Sequence, residues 1–203
     1  MKKLIVLMLL AVAGMAFKPA ASGYKVGDTA TDFKLKNVNG KTVSLSDYKT
    51  AKGYIVIFTC NHCPYAKAYE SRIMALDKQY AAKGFPVIAI SPNDPVAEPT
   101  DSFENMQKLA RQKGYTFPYL IDETQDITRA YGAKATPHVY VLQKTPAGNV
   151  VKYIGAIDND TENTDPGKMK YVENAVNALI AGKHPEVNTT KAIGCGIKWK
   201  KSV

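Results

Sequence analysis

Two cysteines separated by an Asn-His pair are the residues of this chain best suited to chemistry. They stand in the stretch TCNHCPY, residues 59–65, as Cys60 and Cys63, and Pro64 follows directly. A C-x-x-C pair serves as a haem attachment, a metal clip, a disulfide staple or a redox-active dithiol. A c-type haem needs histidine directly after the second cysteine, so Pro64 excludes it.

Neither of two structural roles, a zinc site or a disulfide staple, suits the C-x-x-C pair. A structural zinc site needs four ligands, but there is no second C-x-x-C, and the other candidate ligands are Cys195, His62, His138 and His184. A disulfide staple stabilises by closing a long loop, whereas the loop between Cys60 and Cys63 is very short. The pattern favours a pair that cycles between thiol and disulfide, with Cys195 left over as the third cysteine.

The segments around the pair are expected to make Cys60 reactive. Residues 53–59 are β-branched and aromatic, as in a strand buried on both faces. After the pair, apolar residues recur at helical spacing: Tyr69, Ile73, Leu76 and Tyr80. A helix beginning at about residues 61–64 places Cys60 at its N-terminus, where free N–H groups favour thiolate over thiol. We therefore expect Cys60 to be the nucleophile and the more buried Cys63 to resolve the mixed disulfide.

The other segments alternate between strand and helix patterns. They predict a β-hairpin around Asn39-Gly40, strands at 86–91, 117–122 and 138–142 and near 150–157, and helices at 102–114, 125–132 and 169–180. This order indicates an α/β fold with a central mixed sheet flanked by helices and an N-terminal β-hairpin extension.

The N-terminal segment resembles a secretory signal peptide. Lys2 and Lys3 precede an apolar run that is too short for a membrane span, and small residues follow it. We expect a signal peptide at 1–21, one domain at 22–184, and a C-terminal tail at 185–203 packed on or near that domain. The protein would then be periplasmic or otherwise extracytoplasmic, where disulfides form.

The charge of the chain does not favour a nucleic-acid partner. The net charge of +9 falls to +6 without the three lysines up to Lys18, and the remaining basic residues are scattered. We expect no nucleic-acid partner, and no membrane contact once the signal peptide is removed.

The combination of C-x-x-C after a buried strand and Thr136-Pro137 before a later strand resembles the thioredoxin fold. The segments DFKLKNVNGKTVSLSDY, FTCNHCPYAKAY, FPYLIDETQDITRAYGAKATP and GCGIKWK resemble bacterial peroxiredoxin-like redoxins related to AhpC/TSA. The resemblance implies a cis Pro137 facing the disulfide. It also implies that the backbone of Thr136 pairs with the substrate chain.

The chain departs from the peroxiredoxin pattern P-x-x-x-T-x-x-C. Counting back from Cys63 places Cys60 and Val56 at the Thr and Pro positions, and counting from Cys60 places Ile57 and Gly53 there. A peroxidase needs such donors to stabilise the leaving oxygen. We therefore expect thiol–disulfide exchange with protein partners, with a peroxiredoxin-like thiol peroxidase as an alternative.

Many thioredoxins also carry a buried acid on the strand before the cysteines, and no acid occurs between Tyr48 and Cys60.

Three further residues have candidate roles. His62 either stabilises the Cys60 thiolate or faces solvent with little effect. Cys195, between two glycines, either folds back as an accessory thiol or is inert. His138 raises a second alternative, a copper-binding chaperone using Cys60, Cys63 and His138, although such proteins usually space their cysteines one residue wider.

Electrons are expected to come from another redox protein. No Gly-rich nucleotide-binding loop for a flavin or nicotinamide is present in the sequence, so no cofactor is expected. No metal is expected in the favoured interpretation.

Overall fold

The structure, a computed structural model, describes residues 23–201. The predicted signal peptide lies outside the described residues. The strands are β1 (Thr29–Ala30), β2 (Leu35–Asn37), β3 (Thr42–Val43), β4 (Gly53–Phe58), β5 (Val87–Ser91), β6 (Tyr119–Ile121), β7 (Ala135–Thr136), β8 (His138–Thr145), β9 (Gly148–Gly155) and β10 (Cys195–Gly196). The helices are α1 (Pro64–Tyr80), α2 (Phe103–Lys113), α3 (Asp126–Tyr131) and α4 (Tyr171–Ile180).

Eight strands form the central sheet in the order β1-β9-β8-β4-β5-β6-β2-β3. The pairs β4–β5 and β5–β6 are parallel, whereas β4–β8 and β8–β9 are antiparallel. The predicted mixed sheet of an α/β fold is therefore confirmed.

The central strand β4 is buried on both faces. Ile55 and Ile57 belong to the core cluster that also contains the apolar faces of α1 and α4, whereas Val56 and Phe58 belong to the cluster on the other face of the sheet. Since successive strand residues point to opposite faces, burial on both sides explains why this segment has no polar alternation.

Helix α1 begins at Pro64, with Cys63 as its N-cap residue. Proline suits the first helical position because its missing N–H would have no partner there. The four residues predicted to face the core, Tyr69, Ile73, Leu76 and Tyr80, are all buried. Helix α4 begins at Tyr171, slightly later than predicted, and Met169 is exposed.

The predicted N-terminal hairpin is confirmed as the antiparallel pair β2–β3, with Gly40 at a positive φ of 83° in its turn. Its first strand also pairs with β6, so the hairpin forms one edge of the central sheet.

A second, two-stranded sheet joins β7 to β10 near the C-terminus. Its antiparallel register sets Cys195 opposite Thr136 and Gly196 opposite Ala135. Strands of two residues carry no periodic pattern, so the sequence did not predict this pairing. Within residues 23–201, the helices are too short or too polar to cross a membrane.

Candidate active site

The two cysteines of the motif lie against the residue that precedes a cis proline. The Thr136-Pro137 peptide bond is cis, as the family resemblance implied. The Cys60 Sγ lies 3.1 Å from the Thr136 hydroxyl oxygen. The Cys63 Sγ lies 3.2 Å from the carbonyl oxygen of the same residue. The end of β4, the start of α1 and the β7–β8 junction therefore meet at one point.

The disulfide of the structure joins Cys63 to Cys195, and Cys60 is the free cysteine. The expectation that Cys195 would be the leftover thiol is therefore wrong for this state. The physical reason is the β7–β10 pairing, which holds Cys195 beside Cys63, and the Cys195 N–H donates a hydrogen bond to the Cys63 Sγ at 3.4 Å.

Cys60 is more deeply buried than the sequence suggested, with 5% of its surface exposed. Burial, followed by the negative charge of Asp101, raises the pKa of the Cys60 thiol to about 11. The Thr136 hydroxyl and the backbone N–H groups of Cys63 and His62 act in the opposite direction, but more weakly. The expected low pKa is therefore not found in this state, because desolvation of the thiolate outweighs the N–H groups at the start of α1.

A buried acid that the sequence analysis missed lies beside the motif. The carboxylate of Asp101 accepts hydrogen bonds from the backbone N–H groups of Asn61 and His62, at 2.7 and 3.1 Å. Its other oxygen lies 2.6 Å from the His62 Nδ1 and accepts from the Asn93 side-chain amide, also at 2.6 Å. A carboxylate at Nδ1 favours the tautomer that carries its proton there, which leaves Nε2 as the basic nitrogen.

Asp101 comes from the loop between β5 and α2, about 40 residues beyond the motif. Many thioredoxins carry such an acid on the strand before the cysteines, whereas Asp101 follows β5, the strand that lies parallel to β4. Several acids share that loop, among them Asp94 and Glu98, so position in the sequence did not distinguish Asp101. Asp101 is distinguished instead by its full burial in the folded chain.

One group of potential metal ligands occurs among residues 23–201, and it consists of Cys60, His62 and Asp101, whose ligand atoms lie within 4.8 Å of one another. Four hydrogen-bond donors already occupy the two oxygens of Asp101. With its two oxygens already hydrogen-bonded, Asp101 is better suited to positioning His62 than to binding a metal ion.

His138 does not join the cysteines as the copper alternative required. Its Nδ1 accepts a hydrogen bond from the Lys134 backbone N–H at 3.3 Å, and its ring packs on Tyr140. Burial, followed by the charge of Lys134, lowers the pKa of His138 to about 4. Cys63, the second proposed ligand, is bonded to Cys195. In this state the three proposed copper ligands are not assembled.

Comparison with known proteins agrees with this architecture. Residues 26–153 match the family model described as the AhpC/TSA family. The chain is 29% identical to the thiol-disulfide oxidoreductase ResA of Geobacillus thermodenitrificans over 161 residues, which covers 76% of this chain and 85% of that protein.

Two solved structures extend the comparison. An uncharacterized conserved protein from Geobacillus kaustophilus is 37% identical, with a TM-score of 0.81 covering 88% of this chain and 94% of that chain. Peroxidoxin BcpB from Mycobacterium tuberculosis is 20% identical, with a TM-score of 0.52 over 64% of this chain and 84% of that chain, and shows the shared fold alone. The expected thioredoxin-like fold is confirmed, and the expected enzyme class, thiol-disulfide oxidoreductase, agrees with the name of the ResA relative.

Proposed function

We propose, from the premise that this chain belongs to the AhpC/TSA family, that it is an exported thiol–disulfide oxidoreductase acting on protein partners. Cys60 attacks a disulfide of the partner, Cys63 resolves the mixed disulfide, and Thr136-Pro137 holds the partner's chain. The ResA relative supports the enzyme class. The Lys2-Lys3 start and the apolar run after it support export.

One observation carries the proposal. Both sulfurs of the motif lie within 3.2 Å of Thr136, the residue before the cis proline. A partner strand paired with the Thr136 backbone would bring its own sulfur to the cysteines, because main-chain pairing fixes the register of the bound chain. His62 supports the same chemistry, since Asp101 orients its ring and one ring nitrogen lies within 4.8 Å of the Cys60 Sγ, close to the proton that leaves Cys60.

The redox equivalents would come from another redox protein. Thiol–disulfide exchange conserves electrons between the two partners, so a reduced Cys60/Cys63 pair must be regenerated by a further exchange. Protein thiols and disulfides are therefore the proposed partners on both sides of the cycle.

Insulin reduction in the presence of a small thiol tests this function. We expect wild type to accelerate it, Cys60→Ser to return it to the uncatalysed rate, and Cys63→Ser to accumulate a mixed disulfide between Cys60 and insulin. His184→Ala, which changes an exposed histidine remote from Cys60 and Cys63 in sequence, serves as the control for handling and folding. An uncatalysed rate for folded wild type would contradict the proposal.

Peroxide reduction is the second candidate, and one contact favours it. The Thr136 hydroxyl lies 3.1 Å from the Cys60 Sγ, where a donor could polarise a bound peroxide, although it comes from a different segment than the missing family motif. Hydrogen peroxide consumption is therefore measured on the same samples. Rapid consumption without insulin reduction would replace the first candidate with the second.

A further inference from the structure

The C-terminal tail occupies the edge at which a partner strand is proposed to bind. Strand β10 pairs with β7 in antiparallel register, so that Cys195 stands opposite Thr136. This is the backbone that would otherwise pair with the partner. The chain therefore places one of its own cysteines where the sulfur of a partner is expected.

The tail is held there by hydrogen bonds to buried residues of the domain. The Lys198 N–H donates to the side-chain oxygen of Asn93 at 2.8 Å, and the Lys198 carbonyl accepts from the Asp94 N–H at 2.9 Å. Gln125, fully buried, donates to the same carbonyl and accepts from the Lys200 N–H, each at 2.9 Å. Such satisfied polar contacts, made by buried amides, fix the register of the tail.

Asn93 connects the tail to the catalytic side chains. Its side-chain oxygen accepts from Lys198, while its side-chain nitrogen donates to Asp101, which in turn holds His62. Docking of the tail and orientation of His62 therefore share one amide.

Gly194 is required for the close approach of the tail. A Cβ added at Gly194 would overlap the Thr136 carbonyl group, which is backbone and cannot rotate away. At Gly196, two residues further on, an added Cβ meets nothing within 4 Å. The two glycines of the G-C-G sequence thus differ sharply in what they tolerate.

We propose that residues 194–200 are an intramolecular substrate strand and that Cys195 is a third redox-active thiol, whose disulfide with Cys63 is exchanged for a Cys60–Cys63 disulfide when the tail leaves. This inference rests on the proposed function and adds a step to it. Cys195 and Cys60 compete for the same sulfur of Cys63.

The exchange balances without an added oxidant or reductant. The Cys60 sulfur attacks the Cys63 Sγ, the Cys60–Cys63 bond forms, and the Cys63–Cys195 bond breaks. Cys195 leaves as a thiolate and takes up the proton that Cys60 lost, by way of solvent or His62. The product carries the motif disulfide and a free β7 edge, and so can accept a dithiol partner.

The environment of Cys60 fits a resting form of this kind. Cys195 packs against the cluster of Cys60, Cys63 and Ala66. The docked state keeps Cys60 buried, which disfavours its thiolate and slows exchange. When the tail leaves, Cys195 no longer packs against this cluster, and Cys60 becomes more accessible to solvent.

Disulfide mapping of paired glycine variants tests the inference. Oxidised full-length protein is quenched in acid, alkylated, digested without reduction and analysed by mass spectrometry. We expect wild type to contain both Cys63–Cys195 and Cys60–Cys63 species. Gly194→Ala should shift their ratio toward Cys60–Cys63 by about tenfold, the effect of weakening one or two backbone hydrogen bonds, whereas Gly196→Ala should retain the wild-type ratio.

The single tryptophan of the chain, Trp199, reports docking independently. It lies in the tail with the guanidinium of Arg129 at 5.0 Å from its ring. We expect reduction of wild type to change the Trp199 emission, and oxidised Gly194→Ala to show the emission of the reduced protein already. Far-UV circular dichroism confirms that each variant is folded.

Two results would overturn the inference. One is the same disulfide ratio in both glycine variants. The other is a Cys60–Cys63 bond that forms in Cys195→Ser but never in protein that retains Cys195, because the tail bond would then be a permanent staple. Insulin reduction by wild type, measured alongside, separates the two proposals. Activity of wild type together with either of these results refutes the tail exchange alone, whereas folded wild type without activity refutes the proposed function.

Discussion

The sulfur of Cys60 experiences opposing influences from its neighbours. Thr136 and two backbone N–H groups favour the thiolate, but burial and the charge of Asp101 favour the thiol and prevail. Position near a helix N-terminus is therefore insufficient to make a cysteine reactive when the same packing removes water from it.

The pH dependence of Cys60 alkylation follows from this balance. With a pKa of about 11, the thiolate fraction of Cys60 in protein that carries the Cys63–Cys195 disulfide rises about tenfold for each pH unit below that value. We expect the iodoacetamide rate to increase from about pH 7 to pH 10 without reaching a plateau. Asp101→Asn removes the charge that raises the pKa of Cys60, so its rate at neutral pH should exceed that of wild type.

Glu104→Gln is the matched control, because it removes an exposed carboxylate three residues beyond Asp101. It should leave the profile close to that of wild type. A wild-type plateau near neutral pH, or slower alkylation of Asp101→Asn, would contradict this account of Cys60.

At the scale of elements, strand β4 delivers Cys60 and its neighbour β8 follows directly on Pro137. The antiparallel register of these two strands pairs Phe58 with His138, so the cysteine motif and the cis proline emerge at the same end of the sheet. The same pairing begins with Gly53 opposite Gln143. Register over the full length of β4 therefore determines the geometry of the site.

Gly53→Ala tests how tightly that register is packed. An added Cβ would overlap the Leu142 carbonyl and the ring of Phe85. We expect the free energy of unfolding to fall by about 1–3 kcal/mol, the usual cost of overpacking a core, as measured by urea denaturation. Gly196→Ala, in open space, should change it little. Equal stability of both variants would show that β4 can shift without cost.

The short strand of the tail, β10, depends on a partner elsewhere in the chain. Strand β10 has only two residues, yet it pairs with β7 and is followed by Ile197, which is buried in the core cluster on one face of the sheet. The predicted strands and helices of the domain arise from local periodicity, whereas this contact arises from distant residues. The predicted hairpin, sheet and helices were therefore recovered from the sequence, and the pairing of the tail was not.

At the scale of the whole molecule, the disulfide links residues 132 positions apart. A cross-link that closes so long a loop restricts the unfolded chain far more than one between Cys60 and Cys63 would. The two disulfides available to Cys63 thus differ in their effect on stability.

This difference predicts how reduction affects unfolding. Wild type should lose about 2–5 kcal/mol of unfolding free energy when the Cys63–Cys195 bond is reduced. Cys195→Ser should respond much less, because only the short motif disulfide can form in it. Urea denaturation with and without a reductant measures both values. An equal loss in the two proteins would mean that the long-range disulfide stabilises the fold no more than the short motif disulfide does.

The C-x-x-C motif of residues 59–65, the alternation of strands and helices and the cis peptide bond at Thr136-Pro137 could be inferred from the sequence, because each depends on residue type, short-range spacing or a family motif. The pairing of Cys63 with Cys195, the buried carboxylate at Asp101 and the high pKa of Cys60 emerged only from the folded chain. Each of these depends on which distant segments are packed together and on how much water that packing excludes, and neither quantity is a property of a local stretch of residues.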